Sequence, residues 1–179
     1  MKTQRQDGMK TEAAIGLGSN LGDRLANLRE AAVRLAALSG VVRVAKSSVY
    51  ETEPVDVPAE FASLRFLNAV AVFEVEMPVE AWSDAVHAIE DALLRVRTGV
   101  RHAPRTIDLD LLYFGAVVLD RPHLRLPHPQ CVSRRFVCEP LAELRPRLVL
   151  PGASRTVAEI LAALPAAPRV ARFAPASAW

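Results

Sequence analysis

Two β-rich runs, residues 41–50 and 66–75, are joined by a loop marked by Pro54 and Pro58 that is too short for a helical crossover. Strands connected in that way cannot all be parallel, which excludes a purely parallel sheet. Helical periodicity flanks the pair on both sides. Upstream, residues 13–18 form a short apolar run closed by Ser19-Asn20-Leu21-Gly22-Asp23, after which Leu25, Leu28, Ala32, Leu35 and Leu38 recur at helical spacing. Downstream, Pro78 opens a helix expected to reach about residue 96, with Ala81, Ala85, Ile89 and Leu93 as its buried stripe. Residues 107–114 read as a further strand, turned at Gly115 into residues 117–119; residues 120–134 read as a loop, and 135–144 and 154–164 as helices. This order predicts an α+β sandwich, a mainly antiparallel sheet with helices packed on it.

With 179 residues and 19.5 kDa, the chain can feed one core, so a single domain over residues 12–179 is expected, preceded by a disordered leader at 1–11. A composition of 51% hydrophobic and 23% charged residues excludes a disordered or collagen-like chain. No apolar stretch approaches the roughly 18 residues of a membrane span, and Lys2, Arg5, Asp7, Lys10 and Glu12 rule against a secretory signal. Cys131 and Cys138 stand seven apart with no second pair, which fits neither a disulfide framework nor a zinc site. A reducing, cytoplasmic setting is the expectation.

The net charge of +2 hides a polarised segment. Between residues 95 and 135 eight arginines (Arg95, Arg97, Arg101, Arg105, Arg121, Arg125, Arg134, Arg135) face three acids, Asp108, Asp110 and Asp120. Asp108 and Asp110 alternate with Ile107, Leu109 and Leu111, so on a strand both carboxylates share one face, roughly 6.6 Å apart, with the core behind them. Their repulsion, about 2.5 kcal/mol at an effective dielectric near 20, has to be offset. Arg105 is one candidate and a hard divalent cation the other. Two carboxylates with room for water and phosphate ligands suit Mg²⁺, and Mg²⁺ within a ring of arginines means phosphate chemistry. The plainer alternative is a solvated strand face whose aspartates pair with neighbouring arginines.

The run Pro104-Arg105-Thr106-Ile107-Asp108-Leu109-Asp110-Leu111-Leu112 resembles the signature of the 6-hydroxymethyl-7,8-dihydropterin pyrophosphokinases of folate biosynthesis. Gly16-Leu17-Gly18-Ser19-Asn20-Leu21-Gly22, Tyr50-Glu51-Thr52-Glu53-Pro54, Phe66-Leu67-Asn68, Leu126-Pro127-His128-Pro129 and Arg134-Arg135-Phe136-Val137 resemble further family segments in the right order. The resemblance implies a ferredoxin-like sandwich and transfer of pyrophosphate from ATP to the pterin alcohol, releasing AMP. It implies that Asp108 and Asp110 hold two Mg²⁺ ions and that Arg95 and Arg105 neutralise charge as AMP leaves. Arg97, Arg134 and His128 would contact ATP phosphates, and His87 with Glu90 would line the nucleotide end. Phe66 and Phe136 would sandwich the pterin, and Asn68, with backbone groups of Thr52 and Val55, would read its edge. Ordinary core packing is the alternative for the two phenylalanines. The implied partners are small molecules alone, with neither nucleic acid nor membrane, and the implied state is a monomer.

Three departures bear on activity. Arg101-His102-Ala103 stands where the family usually has Arg-Trp-Gly, which changes an aromatic lid residue and a flexible glycine. Leu94 replaces a common glycine, and Pro129 a common aromatic. One rival reading is a non-catalytic homologue that binds ATP or pterin. A second is a nucleic-acid-binding module using the arginine patch, although Asp108 and Asp110 would repel a phosphate backbone and only ten aromatics exist. A dinucleotide-binding oxidoreductase fails on spacing, because Leu21 occupies the position of the third fingerprint glycine.

Overall fold

A computed structural model describes residues 10–54, 58–93 and 104–179. The first half of the chain is β1 (Thr11–Ser19), α1 (Arg24–Ala36), β2 (Val41–Lys46), β3 (Val49–Thr52), β4 (Phe66–Val75) and α2 (Val79–Ala92). The second half is β5 (Asp108–Phe114), β6 (Leu119–Arg121), β7 (Leu124–Leu126), α3 (Arg135–Leu144), α4 (Val157–Ala163) and β8 (Val170–Ala174). The main sheet has the order β5-β1-β4-β3-β8, with β2 also on β4, and every pairing is antiparallel. β1 and β2 thus flank β4 and run parallel to each other, with α1 as their crossover; α2 does the same for β4 and β5. These interleaved units make the ferredoxin-like α+β fold that the family resemblance implied.

Both faces of the sheet are covered. Ile15, Leu17, Phe73, Leu109 and Leu111 pack beneath Leu28 and Leu35 of α1 and Trp82, Val86 and Ile89 of α2. On the opposite face Ala14, Val70, Val72 and Leu112 meet Val137 and Leu141 of α3 and Val157 of α4. Double coverage explains why β4 is apolar almost throughout rather than alternating. The stripe of α2 is rotated from the expected one: Trp82, Ser83, Val86, Ile89 and Glu90 are buried, whereas Ala81 is exposed. The indole of Trp82, 5.2 Å from the Phe73 ring, buries far more apolar area than an alanine and sets the helix rotation.

Four other differences have local causes. Residues 41–50 are two strands, because Ser47 and Ser48 are buried and use side chains to satisfy the backbone. Val70 N–H donates to Ser47 Oγ (3.0 Å), and Ser48 N–H and Oγ both donate to Glu143 (2.9 Å each). Residues 120–126, expected as loop, join Leu119 of the expected 117–119 strand to form the β6–β7 hairpin. β8, which the sequence pattern did not reveal, pairs with β3 and leads to Trp179, whose Nε1 donates to Ser47 O (2.9 Å). Thr11, expected to end a leader, opens β1 opposite Val75; residues 1–9 lie outside the described residues. The turn at Gly115 has φ +52°, and a Cβ there would stand 2.9 Å from Thr11 Cγ2, so any other residue is strained at this position.

Candidate active site

β5 supplies the two acids as its pattern requires. Leu109 and Leu111 are buried toward α1 and α2, leaving Asp108 and Asp110 on the other face. Across β1, Asp108 pairs with Gly18 and Asp110 with Gly16, so the strand beside the carboxylates carries no side chain on that side. Arg105 Nη1 donates to Asp108 Oδ2 at 2.8 Å, while Arg105 Nε is buried with no hydrogen-bond acceptor among the described residues. Asp110, with its side chain 43% exposed, has Oδ1 4.0 Å from His128 Nε2. His128 is tied to β5 by its own N–H, which donates to Leu112 O (2.8 Å). Its Nδ1 accepts from Gln130 N–H at 3.2 Å, which selects the tautomer with the proton on Nε2, facing Asp110.

Two cavities meet at these acids. The smaller, about 40 Å³, is lined by Gly16, Gly18, Phe66, Asn68, Asp108, Asp110 and Phe136. Phe66 and Asn68 share a face of β4 at its first turn of pleat, and Asn68 is pinned where β4 meets β3: its Nδ2 donates to Thr52 Oγ1 at 2.7 Å. Asn68 Oδ1 faces Gly18, where an added Cβ would lie 3.2 Å from it. Phe136 enters from the first turn of α3, with the Arg134 guanidinium 5.5 Å from its ring centroid. The larger cavity, about 290 Å³, lies between α2 and the β6–β7 hairpin and is lined by His87, Asp110, His123, Arg125 and His128 among others. Asp110 belongs to both walls.

Most of the sequence-predicted residues therefore converge: Arg105, Asp108, Asp110 and His128 at the junction, Thr52, Phe66, Asn68 and Phe136 around the small slot with Arg134 beside it, His87 on the large cavity. Glu90 is placed differently from expectation. It is 1% exposed, and its Oε1 accepts from Leu109 N–H at 2.6 Å. Among the described residues β5 is a sheet edge and that outward N–H has no ladder partner, so the carboxylate of α2 supplies an acceptor behind the two acids. Val55, Arg95 and Arg97, together with the His102-Ala103 departure, lie outside the described residues. Asn20 was legible only as part of a turn; in the structure its side chain and backbone both bond the backbone of Arg105. Burial pushes the Cys131 thiol up to about 12 and that of Cys138 to about 11, so both stay protonated and neither is an available nucleophile.

The donor set fits a hard cation. Asp108 and Asp110 present oxygens on one face, and no group of three or more His, Cys, Asp or Glu converges among the described residues. A cation there would complete its shell with water and phosphate, the mixture Mg²⁺ prefers. No helix among the described residues is long and apolar enough to cross a membrane.

Comparison with known proteins gives the family and the fold. The family model for 7,8-dihydro-6-hydroxymethylpterin-pyrophosphokinase matches residues 14–146. A 2-amino-4-hydroxy-6-hydroxymethyldihydropteridine pyrophosphokinase of Methylorubrum extorquens is 44% identical over 156 residues, covering 86% of this chain and 94% of the relative. One of Pseudomonas aeruginosa is 40% identical over 151 residues, covering 84% and 90%. Among solved structures, a Plasmodium falciparum HPPK-DHPS with pterin and p-hydrobenzoate superposes with a TM-score of 0.63 at 13% identity, over 88% of this chain. The chain spans 45% of that polypeptide.

Proposed function

The chain belongs to the 7,8-dihydro-6-hydroxymethylpterin-pyrophosphokinase family, and we propose that the junction of its two cavities at Asp110 is where that family's reaction takes place. The reaction moves a pyrophosphoryl group from ATP to 6-hydroxymethyl-7,8-dihydropterin, giving AMP and the pterin diphosphate, a step of folate biosynthesis. The single observation that carries the assignment is that one carboxylate lines both a narrow aromatic slot and a wider cleft. A bisubstrate transfer needs such a shared wall, because the attacking and leaving oxygens must lie on opposite sides of one phosphorus.

In this reading the pterin enters between Phe66 and Phe136 over Gly18, with Asn68 reading its edge alongside Thr52 and Val55. Arg134, its guanidinium 5.5 Å from the Phe136 ring centroid, contacts the phosphates. ATP occupies the cleft between α2 and the hairpin, with its base end at His87. The hydroxymethyl oxygen attacks the β-phosphorus; that O–P bond forms as the bond to the α,β-bridging oxygen breaks. The leaving AMP takes the bonding electrons, and the hydroxyl proton passes to solvent. Arg105, held at Asp108, stabilises the charge that grows on the departing phosphate, a task shared with Arg95, and Arg97 grips the triphosphate. His128 donates a hydrogen bond from Nε2–H to a phosphate oxygen. Two Mg²⁺ ions on Asp108 and Asp110 would supply charge neutralisation along the triphosphate. The reading further takes the protein to be a monomer acting on small molecules, with neither nucleic acid nor membrane as partner, in the cytoplasm.

Incubation with ATP, Mg²⁺ and the pterin alcohol, with AMP and ADP separated by chromatography, tests the assignment. AMP formed only when pterin is present is the expected result. ADP as product, or no nucleotide turnover despite binding of both substrates, would refute it and favour a non-catalytic binder.

A further inference from the structure

Arg105 sits three residues before Asp108, outside any helix or strand, yet its guanidinium has to meet a developing phosphate charge. Something must fix its backbone. The β1–β5 ladder cannot, since its last pair is Gly18 with Asp108. Beyond that pair Asn20 takes over: Arg105 N–H donates to Asn20 Oδ1 at 2.8 Å, and Asn20 N–H donates to Arg105 O at 3.3 Å. Asn20 thus keeps the two segments tied past the last ladder pair, out of the ladder's register.

The turn that carries Asn20 is itself anchored. Asp23 Oδ1 caps α1 at Ala26 N–H (3.0 Å), and Asn27 Nδ2, one turn along that helix, donates to Leu21 O (2.9 Å) and Ser19 Oγ (3.2 Å). Asn20 is 5% exposed and lines neither cavity, so its amide is not placed to touch a substrate. Arg105 is consequently held at two points, backbone to Asn20 and Nη1 to Asp108, with its buried Nε between them. Moving either point swings the guanidinium relative to the phosphorus, and displacements of an ångström are costly in positioned catalysis.

The geometry points to Asn20 as a positioning residue that acts through Arg105. Its catalytic half rests on the pyrophosphoryl-transfer reading; its structural half does not. The test begins with amide hydrogen exchange at Arg105, measured by NMR on the full chain without substrates. The amide is protected in the parent protein, exchanges at least about tenfold faster in Asn20→Ala, and is again protected in Asn20→Asp, which keeps the acceptor. In turnover, Asn20→Ala lowers kcat about tenfold with both KM values within about twofold, and adds no further loss to Arg105→Ala.

Unchanged Arg105 exchange in Asn20→Ala, or losses that multiply in the double variant, overturn the proposal. If Asn20→Ala does not fold, Asn20→Asp decides: native exchange and turnover support the clamp, and a folded Asn20→Asp with fast Arg105 exchange overturns it. A parent protein that releases no AMP while Asn20→Ala still frees the Arg105 amide supports the clamp and removes only the functional reading.

Discussion

Replacing Glu90 by alanine should cost more than any exposed acid in this chain. The carboxylate is 1% exposed and accepts the Leu109 N–H at 2.6 Å, the amide of β5 that lies between Asp108 and Asp110 and points off the sheet edge. Alanine leaves that N–H buried without its acceptor, a penalty of about 1–3 kcal/mol. Truncation also removes a buried methylene, worth about 0.8 kcal/mol. The sum, about 2–4 kcal/mol, corresponds to a melting temperature lower by about 5–12 °C for a domain of this size. Glu90→Gln keeps an oxygen in the same place and should lose less than half as much. Circular dichroism melts of the three proteins measure both numbers, and AMP release at 20 °C below each midpoint reports whether Asp108 and Asp110 stay in place. An unchanged midpoint in Glu90→Ala, or an equal loss in Glu90→Gln, would refute the argument that an acceptor for Leu109 is what the buried acid provides.

Asp110→Asn should abolish pterin-dependent AMP release by at least about a hundredfold, ~2.7 kcal/mol of barrier, while the melting curve is retained, because its side chain is 43% exposed. Gly18→Ala places a methyl 3.2 Å from Asn68 Oδ1 and should raise the pterin KM about tenfold, leaving the ATP KM unchanged; equal changes in both would argue against the small slot as the pterin site. Glu12 has a pKa below its ordinary value: burial alone would raise it, but hydrogen bonds from Arg145 and Tyr113 together outweigh that. A lowered folded value means that the Glu12 contribution is present above pH 4.5 and is lost as pH falls through the folded value. Melting midpoints scanned downward from neutral pH should therefore fall less steeply in Glu12→Gln than in the parent.

What was legible in the sequence follows from which side chains face a core. The alternation at Asp108-Leu109-Asp110-Leu111 predicted the acid face, and the structure keeps it because Leu109 and Leu111 have helices to bury against. The helix at Arg135–Leu144 carried its apolar stripe openly, and it brings Phe136 to the slot. All of β7 and β8, and β6 beyond Leu119, were illegible for the opposite reason. They are three to five residues long, lie at edges, and leave Arg121, Arg125, Arg172 and Phe173 exposed, so no period-two signal arises. Glu90 and Asn20 were hidden more deeply. Each satisfies a backbone group at the end or edge of a strand, a need that exists only once β5 has docked beside β1, and no local pattern encodes it.

The most direct test of phosphoryl chemistry at the Asp110 junction follows the label rather than the rate. With ATP radiolabelled at the β-phosphorus, the account predicts that all transferred label appears in the pterin diphosphate and none in AMP, whereas label at the α-phosphorus stays entirely with AMP. β-label recovered in ADP, or α-label on the pterin, would contradict attack at the β-phosphorus and with it the placement of the two substrates on either side of Asp110.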